Sequence, residues 1–405
     1  MRRAAGSGTV YALEWVAMVY LDYAATTPMM DEVLEAMLPY QQQFFGNPSS
    51  VYGAGREAKK GLEEARDKVA EAIGAQPSEI IFTAGGTEAD NLALKGAILK
   101  ADPRRRHIIT TSIEHHAVLH SAEWLESQGY RVTFLPVDRV GLVNLDALKS
   151  ALSPETAIVS VMLANNEVGT IQPLREVVDI VKEHSRALVH TDAVQGLGKI
   201  PVDVEALGVD MAAFAAHKLG GPKGVGALYL RRQTSIAPQL HGGGQERGLR
   251  SGTPNVAGIV GFGVAAEISA AEVKQQGDRL SQIRNRLQSL ILESIPRVSV
   301  NAGGAPRVPG TLSVCIEGVE GESLLLMLDS KGLAASSGSA CASGSLEPSH
   351  VLMAMGIVPE LAHGSLRLSL GRASLDLDVE AVVETLSQVV ARLRSIAPKF
   401  AKNPA

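Results

Sequence analysis

The sequence predicts an α/β chain: a mostly parallel sheet between helices makes up its larger part, and a smaller α+β unit follows. Three observations carry this. Short β-rich apolar runs alternate with amphipathic helical stretches from about residue 30 to 230, the mark of strand–helix–strand units. A long helical stretch around 265–292 then changes the style of the chain. Several of the polar residues of chemical interest follow directly on strand patterns, and ligands collect at the carboxyl ends of strands in such sheets.

Taken in order, seven runs read as strands of the larger unit: 80–83, 107–111, 131–136, 157–163, 187–191, 211–215 and 225–230. Stretches 56–73 and 174–184 have helical apolar spacing. The smaller unit is expected to hold strands 311–316 and 365–370 and helices 322–331 and 378–396. The last of these carries Val379, Val382, Val383, Leu386, Val389, Val390, Leu393 and Ile396 on one face, the spacing of a core-facing helix. Residues 336–345 form a loop of small side chains.

Composition bounds the function. The chain of 405 residues, 45% apolar and 20% charged, has room for two or three domains. Its net charge of −5 gives no electrostatic footprint for nucleic acid. The run Arg104-Arg105-Arg106 reads as a solvated turn. Two cysteines, Cys315 and Cys341, cannot build a disulfide framework and point to a reducing, cytoplasmic setting. Residues 1–17 read as an N-terminal extension ahead of a start near Met18, expected without fixed structure. Its apolar region is broken by Glu14, and no uninterrupted stretch of membrane length is expected.

Several stretches carry chemistry. In Phe214-Ala-Ala-His217-Lys218-Leu-Gly-Gly-Pro-Lys-Gly224 an apolar run delivers one lysine to a glycine-rich turn. A lysine held where water is scarce can act as a nucleophile; the alternative is a hydrated lysine at a strand end. Thr83-Ala-Gly-Gly86-Thr87-Glu-Ala-Asp90 joins a strand to a helix, with Thr87 as a cap and Asp90 reaching back. It is either a plain capped turn or an anion cradle. Asp192 follows an apolar run and is either a helix cap or the partner of a buried cation, with Gln195 one turn on. His115, in Glu114-His115-His116, could stack on a planar cofactor; no metal-ligand cluster accompanies it. The histidines at 116, 120, 184, 190, 241, 350 and 363 read as structural or surface residues. Asn47 lies in a turn by composition, whereas Asn165-Asn166 sit at a strand end, where their amides could bond a carboxylate or a phenolic oxygen. Arg367 projects from the face of its strand opposite the leucines, either into solvent or toward a carboxylate. Cys315 reads as a small core residue, whereas Cys341, among Ser, Gly and Ala, reads as a thiol kept for reactivity.

Together these stretches resemble the cysteine desulfurases of the class V aminotransferase family, in the NifS/IscS-like group I. The resemblance runs from Tyr20-Leu-Asp-Tyr-Ala-Ala-Thr-Thr-Pro28 to Arg372 and includes Gln245-Glu-Arg-Gly-Leu-Arg-Ser-Gly-Thr253 and Ser336-Ser-Gly-Ser-Ala-Cys341. It implies the fold type I of pyridoxal-phosphate enzymes, with a large domain of residues 28–270 and a small domain of residues 18–27 and 271–405. It implies pyridoxal 5'-phosphate on Lys218, Asp192 at the ring nitrogen, Gln195 at the ring hydroxyl, and His115 over the ring. Gly86, Thr87 and His217 would hold the phosphate, and Thr253 that of a neighbouring subunit in a homodimer. Asn47, Asn166 and Arg367 would bind the carboxylate of L-cysteine, which is converted to L-alanine while Cys341 takes the sulfur as a persulfide for an acceptor protein, in iron–sulfur or thio-cofactor assembly. Members often carry serine two residues before the histidine of the His-Lys pair; here it is Ala215. A selenocysteine lyase-like enzyme and a non-catalytic sulfur-transfer scaffold are the competing readings.

Overall fold

The computed structural model describes residues 18–338 and 347–396. The expected extension 1–17 and Cys341 lie outside the described residues. Twelve strands are present among them: β1 (Val19–Tyr20), β2 (Ile80–Thr83), β3 (His107–Thr111), β4 (Arg131–Leu135), β5 (Thr156–Ser160), β6 (Leu188–Asp192), β7 (Met211–Ala215), β8 (Gly226–Leu230), β9 (Val298–Val300), β10 (Thr311–Ile316), β11 (Leu333–Ala334) and β12 (Ser365–Ser369).

The seven strands expected in the larger unit form one sheet in the order β2-β8-β7-β6-β5-β3-β4. All neighbours are parallel except β8, which runs antiparallel to both β2 and β7. The link from β7 to β8 spans only residues 216–225, too short for a parallel crossover. Because β8 alone is reversed, β2, β3, β5, β6 and β7 all end on the same edge, and their carboxyl ends share one crevice. Strands β2, β3, β5 and β7 are buried along their full length, as a sheet covered by helices on both faces requires. Edge strand β4 is mostly accessible.

Helix Val256–Ser294 runs for 39 residues, beginning earlier than the sequence pattern suggests. Glycines 258, 261 and 263 mask its apolar spacing, and packing explains them. A Cβ on Gly263 would stand 2.7 Å from Ala65 Cα and one on Gly261 2.6 Å from Met37 Sδ, so these glycines let the helix lie close against Gly53–Ala72 and Asp31–Gln42. By length and composition alone this helix contains an 18-residue window of mean hydropathy 1.6, but Glu267 and Glu272 interrupt its apolar run. Its apolar run is core: Ile259, Phe262, Ala265 and Ala266 sit in the cluster beneath the large sheet.

The same helix places Leu287 and Ile291 in a second apolar cluster, built with β10, β12 and helix Val379–Ile396 around the antiparallel sheet β12-β10-β9. Leu21 belongs to this second cluster, and β1 pairs with β11. From there residues 22–27 cross toward the large sheet. Ser369 N–H donates to Leu21 O at 2.7 Å, Thr27 Oγ1 donates to His217 O at 2.9 Å, and Gly220 N–H donates to Thr27 Oγ1 at 2.8 Å. The amino-terminal segment therefore stitches the small unit to the crevice.

Candidate active site

The crevice has three parts. The first follows β2, where helix Gly86–Lys100 starts with its N–H groups facing a cavity of about 890 Å³. Gly85, Gly86, Thr87, His217, Lys223 and Arg250 line it. The helix dipole and free N–H groups favour an anion there. Close packing demands glycine at 86, where a Cβ would meet Val194 Cγ2 at 2.6 Å, and at 226, where it would meet the backbone of Phe214 and Gly85. The capping expectation is corrected. Gly85 is the N-cap, Thr87 lies in the first turn on the cavity wall, and Asp90 is buried, with Oδ1 3.5 Å from His190 Nε2. Glu88 Oε2 instead accepts the Ala84 N–H at 2.9 Å, while Arg250 Nε donates to Glu88 Oε1 at 2.8 Å. Arg250 thereby pins the 245–253 motif to the cavity. His217 Nδ1 bonds Thr26 Oγ1 at 3.1 Å. Burial, with Lys218, Lys223 and Lys199 nearby, pushes its imidazole down to about 4, so it meets an anion as a neutral group.

The second part is the floor. Asp192 ends β6, 5% exposed, and its Oδ1 accepts the Val194 N–H at 2.9 Å. Burial raises its pKa, opposed by His115 and Lys218. Behind it lie more buried acids. Glu114 Oε1 accepts from Thr111 Oγ1 at 2.8 Å and from Met162 N–H at 3.0 Å, and burial pushes its carboxyl up to about 8. Asp90 is raised as well, by burial and then by Asp192 and Glu114. His190, bonded through Nδ1 to Ser160 Oγ at 2.9 Å, is driven down to about 3 by burial and is neutral. Asp90 Oδ1, Glu114 Oε2 and His190 Nε2 are buried without a hydrogen-bond partner. Such a floor favours a cation set against Asp192. His115 caps helix His116–Ser127, its Nδ1 accepting the Ala117 N–H at 3.2 Å, which leaves the proton of the neutral ring to Nε2. His116 lies with ring centroids 4.9 Å from both His120 and His350, consistent with the structural reading of those histidines.

Lys218 stands above the floor in the short turn after β7, its Nζ donating to Ala24 O and Ala25 O, each at 2.7 Å. Gln195 Nε2 donates to the same Ala24 O at 2.9 Å. The helix N-terminus, the buried Asp192 carboxylate near His115, the Gln195 amide and Lys218 make a set of groups that fits a phosphorylated pyridine aldehyde. Its phosphate would lie in the cavity, its ring nitrogen at Asp192 and its aldehyde at Lys218.

The third part is held by β12. Arg367 is 3% exposed, so the solvent-facing alternative falls. Its Nη2 donates to Asp22 Oδ1 at 2.6 Å and its Nη1 to Asn166 O at 2.8 Å, while Nε is buried without a partner among the described residues. Asn166 is thus beside the guanidinium. Asn47 is not; it lies in an exposed turn with Oδ1 accepting the Ser49 N–H at 2.9 Å. Thr253 is exposed and lines a different, smaller cavity. Cys315 is fully buried, as expected of a core residue. Sequence reasoning does not pick out Asp22, Glu114 or Lys199 as site residues. A carboxylate directly after the run Val19-Tyr-Leu21 was the available signal for Asp22.

Comparison with known proteins agrees with this geometry. Residues 19–382 match the family model described as aminotransferase class-V. A relative from Methanosarcina thermophila named cysteine desulfurase IscS is 50% identical over 380 residues, covering 94% of each chain. One of the same name from Dictyoglomus turgidum is 49% identical, covering 94% of this chain and 96% of its own. Among solved structures, a NifS-like protein superposes with TM-score 0.86 at 41% identity, covering 93% of this chain and all of its own. A structure described as SspA in complex with cysteine superposes with TM-score 0.77 at 38% identity, covering 87% of this chain and 98% of its own. The chain belongs to the class-V aminotransferase family and, within it, to the cysteine desulfurases.

Proposed function

We propose that the chain converts L-cysteine to L-alanine with pyridoxal 5'-phosphate held on Lys218, and passes the sulfur to Cys341 as a persulfide. One observation carries the reading. Lys218, the buried Asp192 carboxylate and the Gln195 amide converge at the carboxyl ends of β6 and β7, beside the glycine-backed start of helix Gly86–Lys100. Bound there, the cofactor supplies an electron sink for the pair released when a bond to the substrate Cα breaks.

The residues do the rest. Asp192, dehydrated and backed by acids, holds a proton on the ring nitrogen and keeps that sink deep. Gln195 orients the ring oxygen. His115, with its proton on Nε2, carries protons at the face of the ring. The N–H groups at 86 and 87, with Thr87 and His217, anchor the phosphate, and Thr253 would serve the phosphate of a second copy in a homodimer. Arg367 and Asn166 take the substrate carboxylate; Asn47, exposed in one chain, would join only through a second copy. In the net reaction the substrate carbon–sulfur bond breaks, its carbon gains a proton and an electron pair, and a sulfur–sulfur bond forms to Cys341. A relative whose structure is described as a complex with cysteine supports the substrate. The product persulfide would serve an acceptor protein in iron–sulfur or thio-cofactor assembly, in the cytoplasm.

The test is incubation with L-cysteine, quantification of alanine, and mass analysis of the peptide containing Cys341. Equimolar alanine and a 32 Da adduct, the mass of one sulfur atom, are expected. Undiminished sulfide production by Cys341→Ser would remove this thiol from the reaction. A wild-type protein that stays colourless after reconstitution would return the scaffold reading.

A further inference from the structure

A second lysine shares the wall on which Lys218 stands. Lys199 follows Gln195 by one turn and lines, with Lys218, a cavity of about 430 Å³ between residues 23–32, helix Val256–Ser294 and residues 369–373. Its Nζ donates to Gln195 Oε1. Gln195 Nε2 and Lys218 Nζ both donate to Ala24 O, at 2.9 and 2.7 Å, so the amide nitrogen and the amine are neighbours. A carboxamide has one accepting end and one donating end. Lys199 donates to Oε1, which leaves the Nε2 end of Gln195 turned toward Lys218.

We propose that Lys199 is a positioning residue for the junction between Lys218 and its cofactor: it locks the Gln195 amide with its N–H groups toward Lys218 and, as a second amine on the same wall, disfavours protonation there. The inference rests on Lys218 being the cofactor lysine. Lys218, Arg367 and Asp22 are the charged groups that face Lys199, and Asp192 and His217 feel the charge of Lys218. Burial and the two like charges drive the Lys199 ammonium well below its ordinary range, with Asp22 opposing. Two close amines therefore compete for protons, and removal of one lets the other hold its own to higher pH.

The test uses Lys199→Met, Lys199→Arg and the wild-type holoenzyme. The readouts are the pH midpoint of the cofactor's visible absorbance and, after cofactor removal, the pH dependence of acetic anhydride labelling at Lys218. Lys199→Met is expected to move both midpoints upward by about one unit, a tenfold change in proton affinity, and Lys199→Arg to return them toward wild type. Should Lys199→Met fail to fold, Lys199→Gln, which keeps a donor without the charge, is read by the same labelling and is expected to shift in the same direction. Unchanged midpoints in the methionine or glutamine variant overturn the inference. Wild-type protein that takes up no cofactor, or Lys218→Ala that still binds it covalently, overturns the reading of Lys218 instead.

Discussion

Two arginines in this molecule are buried to almost the same degree and meet carboxylates in different ways. Arg66 grips Glu246 with two nitrogens, each at 2.8 Å; its Nε reaches Glu63 at 3.0 Å, and Nη1 also donates to Ile80 O at 2.9 Å. Glu246 Oε2 takes the Phe82 N–H as well, at 2.8 Å. Arg367 holds Asp22 by one nitrogen and leaves Nε buried without a partner among the described residues. The first arrangement is complete, so it clamps the 245–253 motif to the sheet. The second is incomplete, which is costly unless something else arrives to use it. Saturation, more than burial, separates the two guanidinium groups, and it is the unsaturated one that the proposed function gives to a substrate carboxylate.

The comparison can be broken at its strong side first. Arg66→Ala strands a buried carboxylate, and we expect a loss of about 3–5 kcal/mol in unfolding free energy, read by denaturant titration. A loss near zero would mean that saturation has no structural value here. Arg367→Ala should cost kcat/KM for cysteine roughly tenfold to a hundredfold, the worth of a charged hydrogen bond, chiefly through KM. An unchanged KM would reassign Arg367 to the fold alongside Arg66.

Glu114 extends the series to a carboxyl that hydrogen-bonds but meets no arginine. Its folded pKa of about 8 lies above the ordinary 4.5, so the folded state holds a proton that the unfolded chain releases. Stability from this group is therefore present below pH 4.5 and lost at about 1.4 kcal/mol per pH unit as pH rises toward 8. Glu114→Gln should flatten the fall of Tm across that window. An equal fall in both proteins would mean that Glu114 ionises normally. The smallest effect concerns Asp22, which pairs with Arg367 and on the proposed function would compete with substrate for it. Asp22→Asn should tighten cysteine binding roughly threefold, a small net effect because freeing the buried guanidinium for substrate is offset by the partner it loses, and weaker binding would show that Asp22 and substrate share the guanidinium.

Much of this was legible in the sequence because each large-sheet strand is a short apolar run, and all seven lie where they were read, to within a few residues. The placement of Lys218, Asp192, Gln195 and Gly86 at the carboxyl ends of strands was legible for the same reason: each follows such a run. The long helix began earlier than read because its glycines hide the periodicity that packing against Ala65 and Met37 explains. The cap at Thr87 was misplaced because Gly85 offers no side chain to signal its role. Asp22 and Glu114 owe part of their importance to partners far along the chain, Arg367 and Met162, which local pattern does not disclose; Lys199 bonds Gln195 one turn away, but its nearness to Arg367 and Asp22 shows only in the fold.

The helix Val256–Ser294 passes from one apolar cluster into the other without a break, and the expected boundary at residue 270 falls within it. A continuous rod rooted in two cores couples their fates: melting either exposes part of the other's packing surface. Cutting the chain near residue 270 should therefore yield no pair of autonomous folding units, and heating should give one concerted transition.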